Sequence, residues 1–194
     1  MEKTTRIIGI DPGTRHVGYG IVEQCGNKLR WLASGCIHAK ADDVSGRLVV
    51  IYRGLRRVIL EHSPETCAVE TVFSGNNPRT AIAIGEGRGV AVLSAAEHGL
   101  DVRGYEPALV KRAVAGTGRA DKEQVRAMVR VLLALPEAAK TDHESDALAL
   151  AITHAHHLAT EVSTGMKTRT SRGTGRCRRA IPDLILRQLP PGTF

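Results

Sequence analysis

The chain has 194 residues, 42% of them hydrophobic and 24% charged, enough apolar material for one sizeable domain with a real core. No apolar run approaches the roughly 20 residues that a membrane-spanning helix needs. The four cysteines, Cys25, Cys36, Cys67 and Cys177, are widely spaced with no CxxC pair, which argues against a zinc knuckle and for reduced thiols in a cytoplasm. The net charge of +7 is uneven: residues 161–194 hold seven basic and two acidic residues, while 1–160 hold 20 basic and 18 acidic ones.

The N-terminal stretch MEKTTRIIGID enters a strand-like run at once, so no signal peptide is expected. RIIGID (6–11) is a short apolar run that ends at an acid and then PGT, which predicts a buried strand followed by a tight turn. HVGYGIVEQ and KLRWLASGCIH are two further strands. The CGN between them predicts a hairpin, so the first three strands form an antiparallel meander. From Ser45 the period changes: Leu48, Ile51, Tyr52, Leu55, Val58 and Ile59 mark an amphipathic helix. TCAVE (66–70) is another buried strand ending at an acid. A helix over 78–98 follows, carrying the three glycines of GEGRG, and DVRGYE (101–106) is the last strand. Helices are expected over 107–115, 121–135 and 142–159. The order βββαβαβααα is α/β, with a mixed sheet of five strands flanked by helices. Residues 1–160 form the predicted domain. The Gly/Ser/Thr-rich basic segment 161–194 reads as a flexible tail with affinity for polyanions, or as a tail that merely aids solubility.

Two strands end in carboxylates, Asp11 and Glu70, where open α/β sheets place their sites. Taken singly, each is as well explained by a helix cap or a salt bridge. A third group of acids opens the last helix in TDHESDALALAITHAHH. There His143 and Asp146, three apart, share an inward face with Leu150. Asp142 or Thr141 reads as the N-cap, and Glu144 as a solvated first-turn acid. Three carboxylates and an imidazole suit a hard divalent cation, Mg²⁺ or Mn²⁺. Two such ions clamp the attacking water and the leaving oxygen of a phosphodiester, which is nuclease chemistry.

Phe73, on the polar loop after Glu70, reads as a base-stacking aromatic, with folding back onto the core as the alternative. EPALVKRAVAGTGRADKEQV offers Lys111, Arg112, Arg119 and Lys122, with Asp121 as a helix cap and Lys122 free to reach a phosphate. GTGRADK lacks the G-x-x-x-x-G-K-[ST] pattern of a nucleotide loop. The glycines of GEGRG permit close backbone approach to the sheet or to another subunit. HAHH at 154–157 reads as surface histidines near a helix C-terminus.

IIGIDPGTRHVGYGIV, AVETVF, GEGRGVAV, YEPALVKRAVAGTGRADKEQV and DHESDALALAITH together resemble the RuvC family of Holliday-junction resolvases, collinearly from about residue 6 to 158. The resemblance implies a ribonuclease-H-like fold, a homodimer, and Mg²⁺-dependent nicking of two opposed strands at a four-way DNA junction. Two ions per subunit are implied, with Mn²⁺ able to substitute. The family's catalytic acids fall on Asp11, Glu70 and Asp146. Its fourth position, Asp in some members and His in others, falls on His143. The stacking aromatic falls on Phe73, the active-site lysines on Lys111 and Lys122, and the dimer region on helix 78–98. RuvA and RuvB are the implied partners, and DNA recombination and repair in the cytoplasm the implied setting. Two other readings carry less. A non-catalytic junction binder would require a lost acid. An actin-like phosphotransferase, suggested by DPGT, would require a second domain that this length does not supply.

Overall fold

The computed structural model describes residues 4–71, 78–135 and 141–164. Its elements follow the expected order: β1 (Thr4–Asp11), β2 (His16–Cys25), β3 (Lys28–His38), α1 (Val44–His62), β4 (Thr66–Glu70), α2 (Pro78–Glu97), β5 (Asp101–Tyr105), α3 (Pro107–Ala115), α4 (Lys122–Leu132) and α5 (Asp142–Thr164). They build a five-stranded sheet in the order β3-β2-β1-β4-β5. The β1-β2-β3 meander is antiparallel, whereas β1, β4 and β5 run parallel, so the sheet is mixed as expected.

Strand alternation sorts the core into two layers. Ile8 and Ile10 of β1 point to one face, where they meet Ile51 and Leu55 of α1 and Ala91 and Ala95 of α2. Ile7 points to the other face, toward Val110 and Val114 of α3, Val125 and Val129 of α4, and Leu148 and Ile152 of α5. Burying a side chain such as Ile152 or Leu148 stabilises the fold by about 1.5–3 kcal/mol. Two caps hold helix starts: Asp43 accepts from Gly46 N at 2.6 Å, and Asp121, the expected cap, forms a capping box with Gln124.

Helix α5 lies unusually close to the sheet. A Cβ on Gly9 would collide with Ala147 O, and one on Gly18 would collide with His143 O. The strands are bare at these points so that the helix backbone can approach. All residues from Ala147 to Ala155 of this helix are buried, which marks it as a central element rather than an amphipathic surface one.

Two sequence expectations are corrected here. Helix α5 does not end at 159 but runs to Thr164. Arg103 of β5 grips Glu161 with two hydrogen bonds, at 2.6 and 3.1 Å, so a domain edge at 160 would cut a packed helix. The basic tail from 165 onward lies outside the described residues. The HAHH histidines are also not a surface group at a helix end. His156 is exposed, but His154 is 0% exposed and lies inside the helix. Thr66 donates to Asp101 O at 2.9 Å, so the His154 Nε2–H donates to Thr66 Oγ1 at 2.8 Å, and the Tyr105 hydroxyl donates to His154 Nδ1 at 2.6 Å. A buried imidazole is tolerated because both of its nitrogens are satisfied. Among the described residues, Cys36 and Cys67 are free thiols, and no helix is long and apolar enough to cross a membrane.

Candidate active site

Parallel pairing puts Ile10 of β1 beside Val69 of β4, and the next residue on each strand is a carboxylate, Asp11 and Glu70. Both share strand parity with the residues that face α5: Gly9 and Ala68 respectively. Helix α5 begins over these strand ends. Its cap is Thr141, whose hydroxyl accepts from Glu144 N at 3.3 Å. The first turns then bring His143 and Asp146 toward Asp11 and Glu70. The inward pairing of 143 with 146 read from their spacing is therefore what the fold delivers.

Electrostatics show how close the acids are. Burial, then the negative charges of Asp11 and Asp146, push the Glu70 carboxyl up to about 7, against the opposing pull of Lys122. Burial and Asp11 raise Asp146 as well, opposed by Lys122, His143 and Arg126. Neither Glu70 nor Asp146 forms an ion pair or a side-chain hydrogen bond with another described residue. Asp11 does have a partner: the His143 Nδ1–H donates to Asp11 Oδ2 at 2.8 Å. An ionised carboxylate can only accept, so this bond places a proton on Nδ1, and in the neutral form of the imidazole Nε2 is then the nitrogen with the lone pair.

Three partly buried carboxylates that repel one another, two of them without a paired cation, form a hard, all-oxygen donor set. Among the described residues no three such groups already close on a single point. The positive charge that such a set of carboxylates calls for is that of a divalent cation. The donor chemistry therefore fits Mg²⁺ or Mn²⁺.

The cationic residues divide. Lys122, exposed at the start of α4, acts on both Glu70 and Asp146. Lys111 is half-buried on α3; Arg119 is exposed in the turn before α4, its backbone N–H donating to Thr117 Oγ1. Phe73 lies outside the described residues. Glu144 corrects the reading of a solvated acid: it is half-buried and accepts from Ser34 at 3.1 Å and Thr141 at 3.2 Å.

The sequence reading missed two participants, Arg126 and Arg88, while the close backbone approach it expected at GEGRG is met at Gly87. Arg126, one turn beyond Lys122, pairs with Asp142 and stabilises the Asp146 carboxylate; its four-residue spacing from Lys122 was the available signal. Arg88 of α2 donates its Nε–H to Glu70 O at 3.0 Å. Gly87, the middle glycine of GEGRG, abuts the loop after Asp11: a Cβ there would lie 2.6 Å from Gly13 O. So α2 braces the backbone at both acid-bearing strand ends. Its other side is open. Gly85 and Gly89 have free space around them, and Ile82 and Leu93 are 64% and 55% exposed.

Comparison with known proteins adds to this geometry. The family profile described as Crossover junction endodeoxyribonuclease RuvC matches residues 7–154. A protein of that name from Pseudomonas putida (strain W619) is 45% identical over 174 residues, spanning 90% of this chain and 99% of the relative. One from Photobacterium profundum is also 45% identical, with the same coverage. Among solved structures, T. thermophilus RuvC in complex with Holliday junction substrate superposes with a TM-score of 0.76 at 36% identity, covering 80% of this chain and 96% of that one. A yeast mitochondrial Holliday junction resolvase, 10% identical with a TM-score of 0.56 over 84% of this chain and 86% of its own, shares the fold.

Proposed function

The chain belongs to the RuvC family of crossover junction endodeoxyribonucleases, and on that premise we propose how its site works. The protein is a metal-dependent endodeoxyribonuclease that resolves Holliday junctions in recombination and repair. The observation that carries the site assignment is that Asp11, Glu70 and Asp146, from two adjacent strand ends and one crossing helix, lie near enough for the charges of the other acids to raise Glu70 and Asp146, neither of which has an ion pair among the described residues. We assign all three as ligands of Mg²⁺, two ions per subunit, with Mn²⁺ as a substitute. Held by these three carboxylates, the ions would supply the Lewis-acid activation of water and the charge neutralisation that phosphodiester hydrolysis requires.

The remaining roles belong to the chain itself. Asp11 orients His143 through Nδ1, so Nε2 is the atom available as a fourth ligand or as a base toward the attacking water. Lys122 stands at the mouth, where a scissile phosphate brings further negative charge, and offsets it. Lys111, Arg119 and Phe73 are assigned to DNA: the first two to phosphates and Phe73 to a base stacked near the junction centre. Arg88 and Gly87 hold the strand ends in place without touching substrate.

The open face of α2 supports a homodimer. Small residues flanked by Ile82 and Leu93 suit a second copy of the same helix, and two sites related by a twofold axis match a junction with twofold symmetry. RuvA and RuvB are the proposed protein partners, and a DNA substrate points to the cytoplasm. Residues 1–164 form the nuclease domain in this reading, with the basic tail beyond it as a further polyanion contact.

The test is cleavage of a synthetic four-way junction in Mg²⁺. Paired symmetric nicks are expected, and Asp11→Asn, Glu70→Gln and Asp146→Asn should abolish them while junction binding persists. Cleavage that survives Asp11→Asn or Asp146→Asn overturns the assignment. Junction binding without cleavage by the unaltered protein supports a binding module instead.

A further inference from the structure

Outside the acids, the structure gathers three imidazoles from three separate elements. His16 and His38 sit directly opposite each other in the antiparallel β2–β3 ladder, with rings edge to face at 5.1 Å. The other face of the cluster is His143: its ring lies nearly parallel to His16, with centroids 5.7 Å apart and planes 20° apart. A continuous chain of side chains thus runs from the edge strand to the catalytic strand, as His38, His16, His143 and Asp11.

The His143 side chain is 43% exposed, so its plane is not set by core packing. Its backbone is fixed, because Gly18 lets the first turn of α5 sit against β2. Its Nδ1 is fixed by Asp11 at 2.8 Å. A single hydrogen bond still leaves the ring free to swing about the N–H···O axis. A stacked neighbour removes that freedom, since offset-parallel rings at this separation attract and define a common plane. His38 in turn limits where the His16 ring can go, because directly opposed cross-strand residues constrain one another.

We propose that His16 is a positioning residue for His143. It holds the imidazole plane so that Nε2 faces the site while Nδ1 is tied to Asp11, and His38 backs it. His16 itself touches neither DNA nor metal. The proposal rests on the reading of Asp11 and His143 as members of the nuclease site. Such a prop is needed only where the fourth position is an imidazole. A carboxylate there has no ring to stack, so the device is specific to the His143 form of the site.

Two measurements test this. The first needs no activity: long-range ¹H–¹⁵N spectra of the metal-free protein. His16→Ala should shift and broaden the His143 ring signals, and His16→Phe, which keeps a ring in place, should leave them near the wild-type position. The second is single-turnover junction cleavage. His16→Ala should slow it by about two- to tenfold, the rate equivalent of one aromatic pair, with junction affinity unchanged. His16→Phe should restore the rate, and His38→Ala should cause a smaller loss. In a His143→Asp background, His16→Ala should cost nothing, because coupled residues lose their effect when the partner is gone. An equal cost in that background would show that His16 acts on the DNA directly and would overturn the proposal. A His16→Phe protein as slow as His16→Ala, or His143 signals unmoved by His16→Ala, would overturn it too. Failure of the wild-type protein to cleave junctions counts against the functional reading alone, and the spectra still decide the role of His16.

Discussion

Two of the histidines on helix α5, His143 and His154, lie about three turns apart, and their environments are opposites. His154 is fully buried with both nitrogens bonded, by Thr66 and Tyr105. His143 is partly exposed, with one nitrogen bonded to Asp11 and the other without a hydrogen bond to any described residue. The carboxylates follow the same division. Glu161, near the far end of the helix, is gripped by Arg103, while Asp146, beside His143, has no ion-pair partner among the described residues and is raised by burial and by Asp11. One helix therefore has a satisfied, structural stretch and an unsatisfied end. A polar group with all its bonds made stabilises the fold and can do nothing else. A polar group left short of partners costs stability and can take a ligand.

The largest expected effects come from the unsatisfied end. Asp146→Asn should lower junction cleavage by about a thousandfold, since metal-derived charge stabilisation contributes several kcal/mol to the barrier. The same change, like Glu70→Gln, should raise metal-free stability at neutral pH, because it removes a repelled, partly buried charge. Adding Mg²⁺ should raise the Tm of the wild-type protein and raise that of either variant less. Equal Mg²⁺ responses would break the contrast between the two ends.

At the satisfied stretch the ordering of effects reverses. His154→Ala should cost about 3 kcal/mol in urea denaturation, through a cavity and the stranded Tyr105 hydroxyl. Cleavage measured well below the Tm should remain close to wild type. A large loss of rate with little loss of stability would mean that His154 belongs functionally with the site.

The pH dependence of stability sharpens the comparison further. Burial, helped by Arg103, holds His154 down to about 3. The unfolded chain takes up this proton below about 6.5, but the folded protein does not until near 3. The contribution of His154 is therefore complete above about 6.5 and drains away as pH falls, by at most about 1.4 kcal/mol per pH unit. Glu70, raised to about 7, has the opposite sign: the folded state holds its proton more tightly, so its penalty grows as pH rises from about 4.5 toward 7. Urea midpoints between pH 4 and 6.5 should fall less steeply with acid in His154→Gln than in wild type, while Glu70→Gln should steepen the fall. Parallel curves for wild type and His154→Gln would refute the neutral, buried imidazole.

The smallest effect is expected beyond the helix. A chain truncated after Thr164, which keeps the Arg103–Glu161 pair, should lose DNA affinity most at low salt. Its salt dependence should be shallower by roughly one unit for each phosphate that the tail neutralises in the full-length protein. An unchanged slope would remove the tail from the DNA-binding surface.

Much of this was legible from the residues alone. Period-two and period-3.6 patterns set the order of strands and helices, and they hold because burying apolar side chains on one face is a local consequence of spacing. Asp11 and Glu70 stood out as acids closing apolar strands, and His143 with Asp146 as a three-residue pair, because each signal lies within a few positions of chain. What tertiary structure decided was proximity between distant segments. HAHH read as surface because nothing near it in sequence reveals that Thr66 and Tyr105 supply its partners. Glu144 read as solvated because Ser34, which binds it, is 110 residues away. Arg88 had no assigned partner until it met Glu70 O, the close approach expected at GEGRG was open between the sheet and another subunit until Gly87 met Gly13 O, and the ring of His16 gave no signal until it met His143. Spacing along the chain determines which residues share a face. Only the folded packing of one face against another determines which polar groups are satisfied, and in this protein that distinction separates the stretch of α5 that holds the fold together from the end whose polar groups are left short of partners.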